Sequence, residues 1–152
     1  MVASSPPTGP QGLPAALTND AGYLMVRLGQ DAQRRFQDAI AVLDLRPSLF
    51  DYLATLGEQG PCSQKEVATI LGIDAARIVT MTDAMEQRGI VERAADATDR
   101  RRNLLSLTRS GRSLLSRAER LAQGVEAEML AALSVAERQT IRRLLRRMLD
   151  VG

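Results

Sequence analysis

The chain has 152 residues and carries 20 lysine or arginine residues against 18 aspartate or glutamate residues, giving a formal net charge of +2. This length predicts one ordinary domain rather than a catalytic domain joined to a regulatory one. The sequence contains 0 histidines and 1 cysteine, which excludes imidazole bases, Ser/His and Cys/His nucleophile pairs, the usual zinc sites and intrachain disulfides. We therefore expect no metal and no cofactor.

The first 19 residues contain several prolines and glycines and no charged side chain, so we predict a flexible tail over residues 1–19. This stretch lacks the basic leader and the unbroken apolar segment of a secretory signal. The sequence has no run of about 18 apolar residues, the length that a membrane-spanning helix needs. These features predict a cytoplasmic protein without a membrane partner.

From Asp20 onward, apolar residues recur at steps of three and four, which predicts a long first helix that is interrupted at Arg46-Pro47. Its apolar face comprises Leu24, Leu28, Ala32, Phe36, Ala39, Ile40 and Leu43. The same spacing predicts a second helix that stops within Gly57 to Pro61. Its apolar residues are Leu49, Phe50, Leu53 and Leu56.

A pair of short helices is predicted next. Ser63 and Glu66 have the spacing of a capping box, which predicts the start of a third helix that ends at Gly72. Asp74 is suited to cap a fourth helix, which Gly89 ends. Since only two residues separate the third helix from the Asp74 cap, the two helices must meet at a steep angle.

The spacing then changes to that of strands. Ile90 to Arg93 and Leu104 to Leu107 predict a hairpin whose tip, Ala94 to Asn103, is polar and rich in arginine. Two more helices are predicted, one after Thr108 and one after Ser134. Residues 99–117 carry six arginines and one aspartate. This local excess of positive charge favours an anionic partner, with nucleic acid as the first candidate.

This order of elements is typical of a winged helix-turn-helix, in which a helix enters the major groove of DNA and a hairpin reaches the backbone and the minor groove. The residues themselves resemble the multiple antibiotic resistance regulator (MarR) family over roughly residues 20 to 150. The resemblance is carried by Ser63–Ala68, Leu71–Asp74, Met85–Arg93, Asp96–Arg101 and Leu105–Gly111.

The resemblance implies a mainly α-helical fold with a two- to three-stranded β-wing. It implies a winged helix-turn-helix domain at 47–108 and a helical dimerisation region at 20–46 and 109–150. The protein would be a homodimer that binds a pseudo-palindromic operator in double-stranded DNA, more as a repressor than as an activator. In the family, the wing aspartate holds the wing and an arginine two positions on enters the minor groove. Those positions are Asp99 and Arg101 here, with Arg100 and Arg102 as backbone contacts.

On the recognition helix, positions that are often polar in the family are occupied by Ala75, Ala76, Val79 and Ala84. Valine and alanine side chains can still contact thymine methyl groups. The polar side chains left for DNA are Arg77, Thr80, Thr82 and Arg88, and we assign Ser63 to the same interface. Arg77 is the best candidate for a guanine, since a guanidinium can bond O6 and N7 together. An ion pair between Arg77 and Asp74 or Asp83 is the alternative.

Many relatives bind small aromatic or phenolic acids that lower their affinity for DNA. In this chain, Arg27, near Tyr23, is a candidate for the ligand carboxylate, and an ordinary surface or intersubunit arginine is an equal alternative. One branch of the family senses hydroperoxides through a cysteine near the start of its first helix. This chain has no cysteine there, and we interpret Cys62 as a passive residue in a turn.

Two other functions compete with DNA binding. Winged domains also bind proteins, and such binding would depend little on salt. An enzyme that uses only carboxylates, such as Glu86 with Asp83, is the other alternative. We expect no enzymatic activity, because these two acids lie beside the predicted recognition helix and have no pocket.

Overall fold

A computed structural model describes residues 13–96, 99 and 102–149. The chain divides into two compact units, Met1–Arg35 and Phe36–Gly152. None of the helices in the described residues is long and apolar enough to cross a membrane.

The first unit contains a short helix, α1 (Ala15–Thr18), and the larger part of α2 (Ala21–Ala41), which continues into the second unit. The predicted start of the long helix is confirmed: the Asp20 carboxylate accepts a hydrogen bond from the backbone N–H of Tyr23 at 2.6 Å. Within the predicted tail, Ala15–Thr18 form one helical turn after Pro14, and residues 1–12 lie outside the described part, so the flexibility of residues 1–19 stays a prediction.

The α2 helix ends earlier than the interruption at Arg46-Pro47 predicted. The backbone N–H groups of Leu43 and Asp44 bond to carbonyls three residues back, at 3.0 and 2.9 Å, which tightens the last turn. Asp44 then takes a φ of 54°, a left-handed conformation that aspartate tolerates better than most residues. The chain is therefore redirected before Pro47, which stands at the first position of α3 (Pro47–Gln59).

The second unit is built around α3. After it come α4 (Gln64–Leu71), α5 (Ala75–Gln87), strands β1 (Val91–Ala95) and β2 (Asn103–Leu107), and helix α6 (Arg109–Met129). These elements surround a core of aliphatic side chains with one tyrosine. Its most deeply buried members include Ile40, Tyr52, Leu53, Leu56, Val67, Ile78, Met85, Val91, Leu105 and Ala118.

The wing is an antiparallel pair in which Val91 faces Leu107 and Ala95 faces Asn103. Cys62 adds a bridge on the free side of β2: its N–H donates to the Leu105 carbonyl at 3.1 Å, and its carbonyl accepts from the Leu105 N–H at 2.7 Å. The predicted hairpin is confirmed, with strands that start and end a residue or two from the predicted limits.

Helix α6 begins against the base of the wing. Thr108 caps it, accepting from the Gly111 N–H at 3.0 Å and donating to the Gly89 carbonyl at 2.7 Å. A Cβ atom at Gly111 would lie 2.1 Å from the Ile90 carbonyl oxygen, so only glycine allows this close approach.

The last helix, α7 (Val135–Leu149), has the predicted capping box: the Ser134 N–H donates to Glu137 Oε2 at 2.8 Å, and the Glu137 N–H donates to Ser134 Oγ at 3.4 Å. It has no buried residue in the single chain. Its exposed apolar side chains are Val135, Leu144, Leu145, Met148 and Leu149.

Candidate nucleic-acid interface

The turn between α4 and α5 forms as the sequence predicted. Gly72 has a φ of 63°, a left-handed conformation that favours glycine, and its N–H bonds to the Thr69 carbonyl at 3.3 Å. Asp74 caps α5 by accepting from the backbone N–H of Arg77 at 2.9 Å. Only three residues, 72–74, separate the end of α4 from the start of α5, and the left-handed Gly72 is among them, so α5 is set at an angle to α4.

The exposed face of α5 presents Arg77, Val79 and Thr80 in its first two turns. Within the described residues, the Arg77 guanidinium has no ion pair: Asp74 bonds only its backbone, and Asp83 pairs with Arg93. The structure therefore does not support the alternative in which Arg77 forms a surface ion pair.

The two threonines of α5 have different environments. Thr80 is exposed, and its hydroxyl donates to the Ala76 carbonyl at 3.1 Å. Thr82 has no exposed surface, and its hydroxyl lies 2.9 Å from that of Tyr52. Assigning Thr82 to the DNA interface was wrong, because its side chain packs in the core. The helical periodicity indicates that Thr82 is buried, since Thr82 is four residues after Ile78 and three before Met85, both of which are buried.

Arg88 also differs from its assignment. It is the C-terminal cap of α5, and its guanidinium donates to the carbonyl oxygens of Asp44 at 3.1 Å and Leu43 at 3.5 Å. A carboxylate oxygen of Asp44 is 3.6 Å away. The structure assigns Arg88 to the connection between α2 and α3, where it satisfies carbonyls that the end of α2 leaves open. Arg88 is therefore not part of the proposed DNA interface.

The role of Arg93 is evident only in the structure. From β1 its guanidinium pairs with both Asp83 and Glu86 of α5. The hydrogen bond to Asp83 is the main reason that the pKa of Arg93 lies above its usual value. This cluster ties the wing to α5, and it places a cation between the two carboxylates that the enzymatic alternative needed.

Ser63, Glu66 and Arg102 join α4 to the base of the wing. The Ser63 N–H donates to Glu66 Oε2 at 2.7 Å and the Ser63 hydroxyl accepts from the Glu66 N–H at 3.3 Å, so the predicted capping box is confirmed. The guanidinium of Arg102 lies 3.5 Å from the other carboxylate oxygen of Glu66. Hydrogen bonds from Ser63, followed by the charge of Arg102, hold the pKa of Glu66 below its ordinary value.

The wing tip is described only in part. The Asp99 carbonyl accepts from the Arg102 N–H, and the Arg102 carbonyl accepts from the Asp96 N–H, both at 2.9 Å. Arg100 and Arg101, the two remaining wing arginines of the assignment, lie outside the described residues.

Cys62 has the environment of a passive thiol. It is 7% exposed, and burial, followed by the nearby charge of Glu66, raises the pKa of its thiol. A raised pKa lowers the thiolate fraction and hence the reactivity. This direction agrees with the interpretation of Cys62 as a structural residue.

The candidate effector residues lie in the first unit. Arg27 is exposed and lines a shallow depression of about 290 Å³ together with Gln30, Asp31 and Arg34. Asp31 pairs with Arg34 and with Arg35. Within the described part of this unit, Arg27 keeps a guanidinium without an ion pair. The partly exposed Tyr23 is not among the residues that line the depression.

Two helices joined at a left-handed glycine, an exposed face on the second helix and a β-hairpin packed beside it define a protein of the winged helix-turn-helix class. Comparisons with known proteins agree. The model of the MarR family matches residues 45–102. The transcriptional repressor NicR of Pseudomonas putida is 30% identical over 137 residues, which cover 90% of this chain and 87% of NicR.

Solved structures extend the agreement beyond residues 45–102 to most of the chain. The transcriptional repressor CouR, bound to a 23-mer DNA duplex, is 31% identical with a TM-score of 0.77, and the match covers 89% of this chain and 96% of CouR. A probable transcriptional regulator from Pseudomonas aeruginosa is 33% identical with a TM-score of 0.72, over 87% of this chain and 98% of that one. The chain belongs to the MarR family and is a transcriptional regulator.

Proposed function

We propose that this regulator is a homodimeric repressor that binds a pseudo-palindromic operator in double-stranded DNA. The observation that carries the proposal is the exposed face of α5, on which the Arg77 guanidinium forms no ion pair with any other residue that the structure describes. An arginine on an exposed recognition helix can bond guanine O6 and N7 in the major groove. In this proposal the protein binds DNA in the cytoplasm and catalyses no reaction.

The wing supplies the second set of contacts. We infer that Arg101 enters the minor groove with support from Asp99, and that Arg100 and Arg102 contact phosphates. Six arginines within residues 99–117 provide the charge for a duplex backbone. The DNA-bound structure of the similar repressor CouR supports duplex DNA as the partner.

Exposed apolar surface supports the homodimer. Helix α7 buries none of its residues, and Leu149 is 80% exposed. In the first unit, α2 exposes Leu24, Met25, Val26 and Leu28. Surface of this kind is typical of a region that another chain covers. A second copy would also supply the second recognition helix, about 34 Å from the first, as successive major grooves require.

The test is to select bound sequences from random duplexes and then to measure affinity across a salt series. We expect affinity to fall steeply as salt rises, because phosphate contacts release counterions. Arg77→Ala should relax the preference at one position in each half-site, at about 1–3 kcal/mol. Arg101→Ala should weaken binding to nearly all duplexes and reduce the salt slope by about 1.

Arg120→Ala is the matched control, because Arg120 is an exposed arginine of α6 outside the proposed DNA contacts; sedimentation equilibrium first establishes that this variant has the oligomeric state of the parent. It should bind like the parent protein. Salt-insensitive capture of a protein, with no affinity for any duplex, would refute the proposal. So would a protein that stays monomeric in sedimentation equilibrium while it binds half-sites singly.

We further infer that a small aromatic or phenolic acid releases the repressor from DNA, and that Arg27, with Tyr23 nearby, binds its carboxylate. The support is the exposed guanidinium of Arg27. A panel of benzoates and hydroxybenzoates should contain a compound that weakens DNA binding. That compound should weaken DNA binding by Arg27→Ala less than DNA binding by Arg120→Ala. An equal weakening in both variants would exclude Arg27 as the residue that binds the carboxylate.

A further inference from the structure

Val79 is an apolar side chain on the face of α5 that we propose to enter the major groove. It is 40% exposed in the second turn of the helix. Its exposed neighbours Ala75 and Ala76 are also apolar. This part of the helix therefore presents methyl groups where hydrogen-bonding side chains would be expected for polar base contacts.

The few polar side chains in the first two turns of α5 do not make the surface around Val79 polar. The Thr80 hydroxyl donates its only proton to the Ala76 carbonyl. The Arg77 guanidinium has no acceptor among the described residues, but at 100° per residue Arg77 lies on the opposite flank of the exposed face from Val79. The base pair that faces Val79 therefore meets methyl groups and no available donor.

The carboxylates on the Val79 flank are also engaged. Asp83 and Glu86 follow Val79 at four and seven residues, so they lie on the same flank, one and two turns further along the helix. Both pair with Arg93. Since Arg93 compensates much of their charge and holds them toward β1, they are poorly placed to accept a hydrogen bond from a cytosine amino group.

We propose that Val79 reads the C5-methyl group of one thymine in each operator half-site. Thymine is the only base that presents a methyl group in the major groove, so contact between methyl groups is the readout that an apolar side chain can provide. The inference rests on the proposed DNA-binding function. It adds that each half-site contains a thymine whose methyl group contributes to affinity, at a base pair other than the one Arg77 contacts.

The experiment uses the full chain and the duplex obtained by selection. Each thymine of the half-sites is replaced in turn by deoxyuridine, which pairs identically and lacks only the methyl group. For the parent protein, each half-site should contain one thymine whose replacement by deoxyuridine, made alone, weakens binding about fourfold. This is the value of one buried methyl group. Replacement in both half-sites should weaken it by about fifteenfold.

Val79→Ala removes both γ-methyl groups from an exposed helical position, where alanine is a better helix former. This variant should bind the thymine and deoxyuridine duplexes with nearly equal affinity. Val42→Ala is the matched control, because Val42 is 77% exposed and lies outside α4, α5 and the wing. It should keep the full difference between the two duplexes.

The outcomes separate this inference from the function on which it rests. Tight, salt-dependent binding with no sensitivity to deoxyuridine would overturn the role of Val79 and leave the DNA-binding proposal intact. A fourfold sensitivity that persists in Val79→Ala would assign the methyl contact to another side chain and overturn the inference as well. Absence of binding to any duplex would overturn both.

Discussion

The buried pair of Tyr52 and Thr82 joins α3 to the recognition helix, and it provides a direct test of the structure. The Thr82 hydroxyl donates to the Ile78 carbonyl at 2.8 Å. A hydroxyl has one proton, so Thr82 must be the acceptor in its 2.9 Å contact with the Tyr52 hydroxyl. Replacing Thr82 by valine keeps the shape of the side chain and removes the acceptor of the Tyr52 proton.

The expected cost follows from burial. Both side chains are 0% exposed, so in Thr82→Val water cannot replace the lost acceptor without a rearrangement. A buried hydroxyl left without its partner destabilises a protein by about 1–3 kcal/mol. The partner substitution, Tyr52→Phe, should lower the free energy of unfolding by about 0.5–1.5 kcal/mol, because the Thr82 hydroxyl keeps its hydrogen bond to the Ile78 carbonyl. Removing both hydroxyls should cost less than the sum, with a coupling of about 1 kcal/mol.

Urea unfolding followed by circular dichroism measures these differences. We expect the midpoint of Thr82→Val to fall by on the order of 1 M at unchanged slope. All variants are compared at one protein concentration, because association would add to the apparent stability. Where all variants are folded, Thr82→Val should select the same duplexes as the parent. An unchanged midpoint combined with an altered base preference would refute the reasoning and return Thr82 to the interface.

Three further predictions concern single residues. Burial raises the pKa of Tyr52 to about 12 from its ordinary value of 10.0, so its contribution to stability is complete below pH 10 and is lost as pH rises toward 12. Stability curves of the parent and Tyr52→Phe should therefore converge over that range, and parallel curves would contradict the prediction. Ser63→Ala removes the cap of α4 and should lower stability by about 0.5–2 kcal/mol in thermal or urea unfolding, while an unchanged midpoint would show that the cap is dispensable. Gly111→Ala forces a Cβ to within 2.1 Å of the Ile90 oxygen and should cost at least about 3 kcal/mol, whereas Gly124→Ala, with open space around it, should stabilise α6; equal effects would argue against the close approach.

Local signals made much of the fold predictable. The caps at Ser63, Asp74 and Ser134 depend on residues three positions apart, and all three form as predicted. The wing strands are also local, since the buried Leu105 and Leu107 alternate with Ser106.

Contacts between distant residues were not predictable in the same way. The Arg88 side chain bonds to carbonyls more than forty positions earlier in the chain, and nothing in its neighbourhood in the sequence indicates this. Arg93 pairs with Asp83 and Glu86 only because β1 returns beside α5. Thr82 is a different case. Its spacing from Ile78 and Met85 indicated a buried side chain, but its hydroxyl group favoured a contact with DNA in the sequence-based prediction.

The Arg93 cluster limits how this regulator can acquire a new operator. Asp83 and Glu86 share one cation from β1, so changing either acid leaves a charge imbalance at the root of the wing. Within the described residues, the side chains of Arg77 and Val79 form no ion pair with another element. Mutant libraries for retargeting should therefore randomise the opening turns of α5 and leave its closing turns intact. Divergence of binding sites among descendants of this protein should follow the same division.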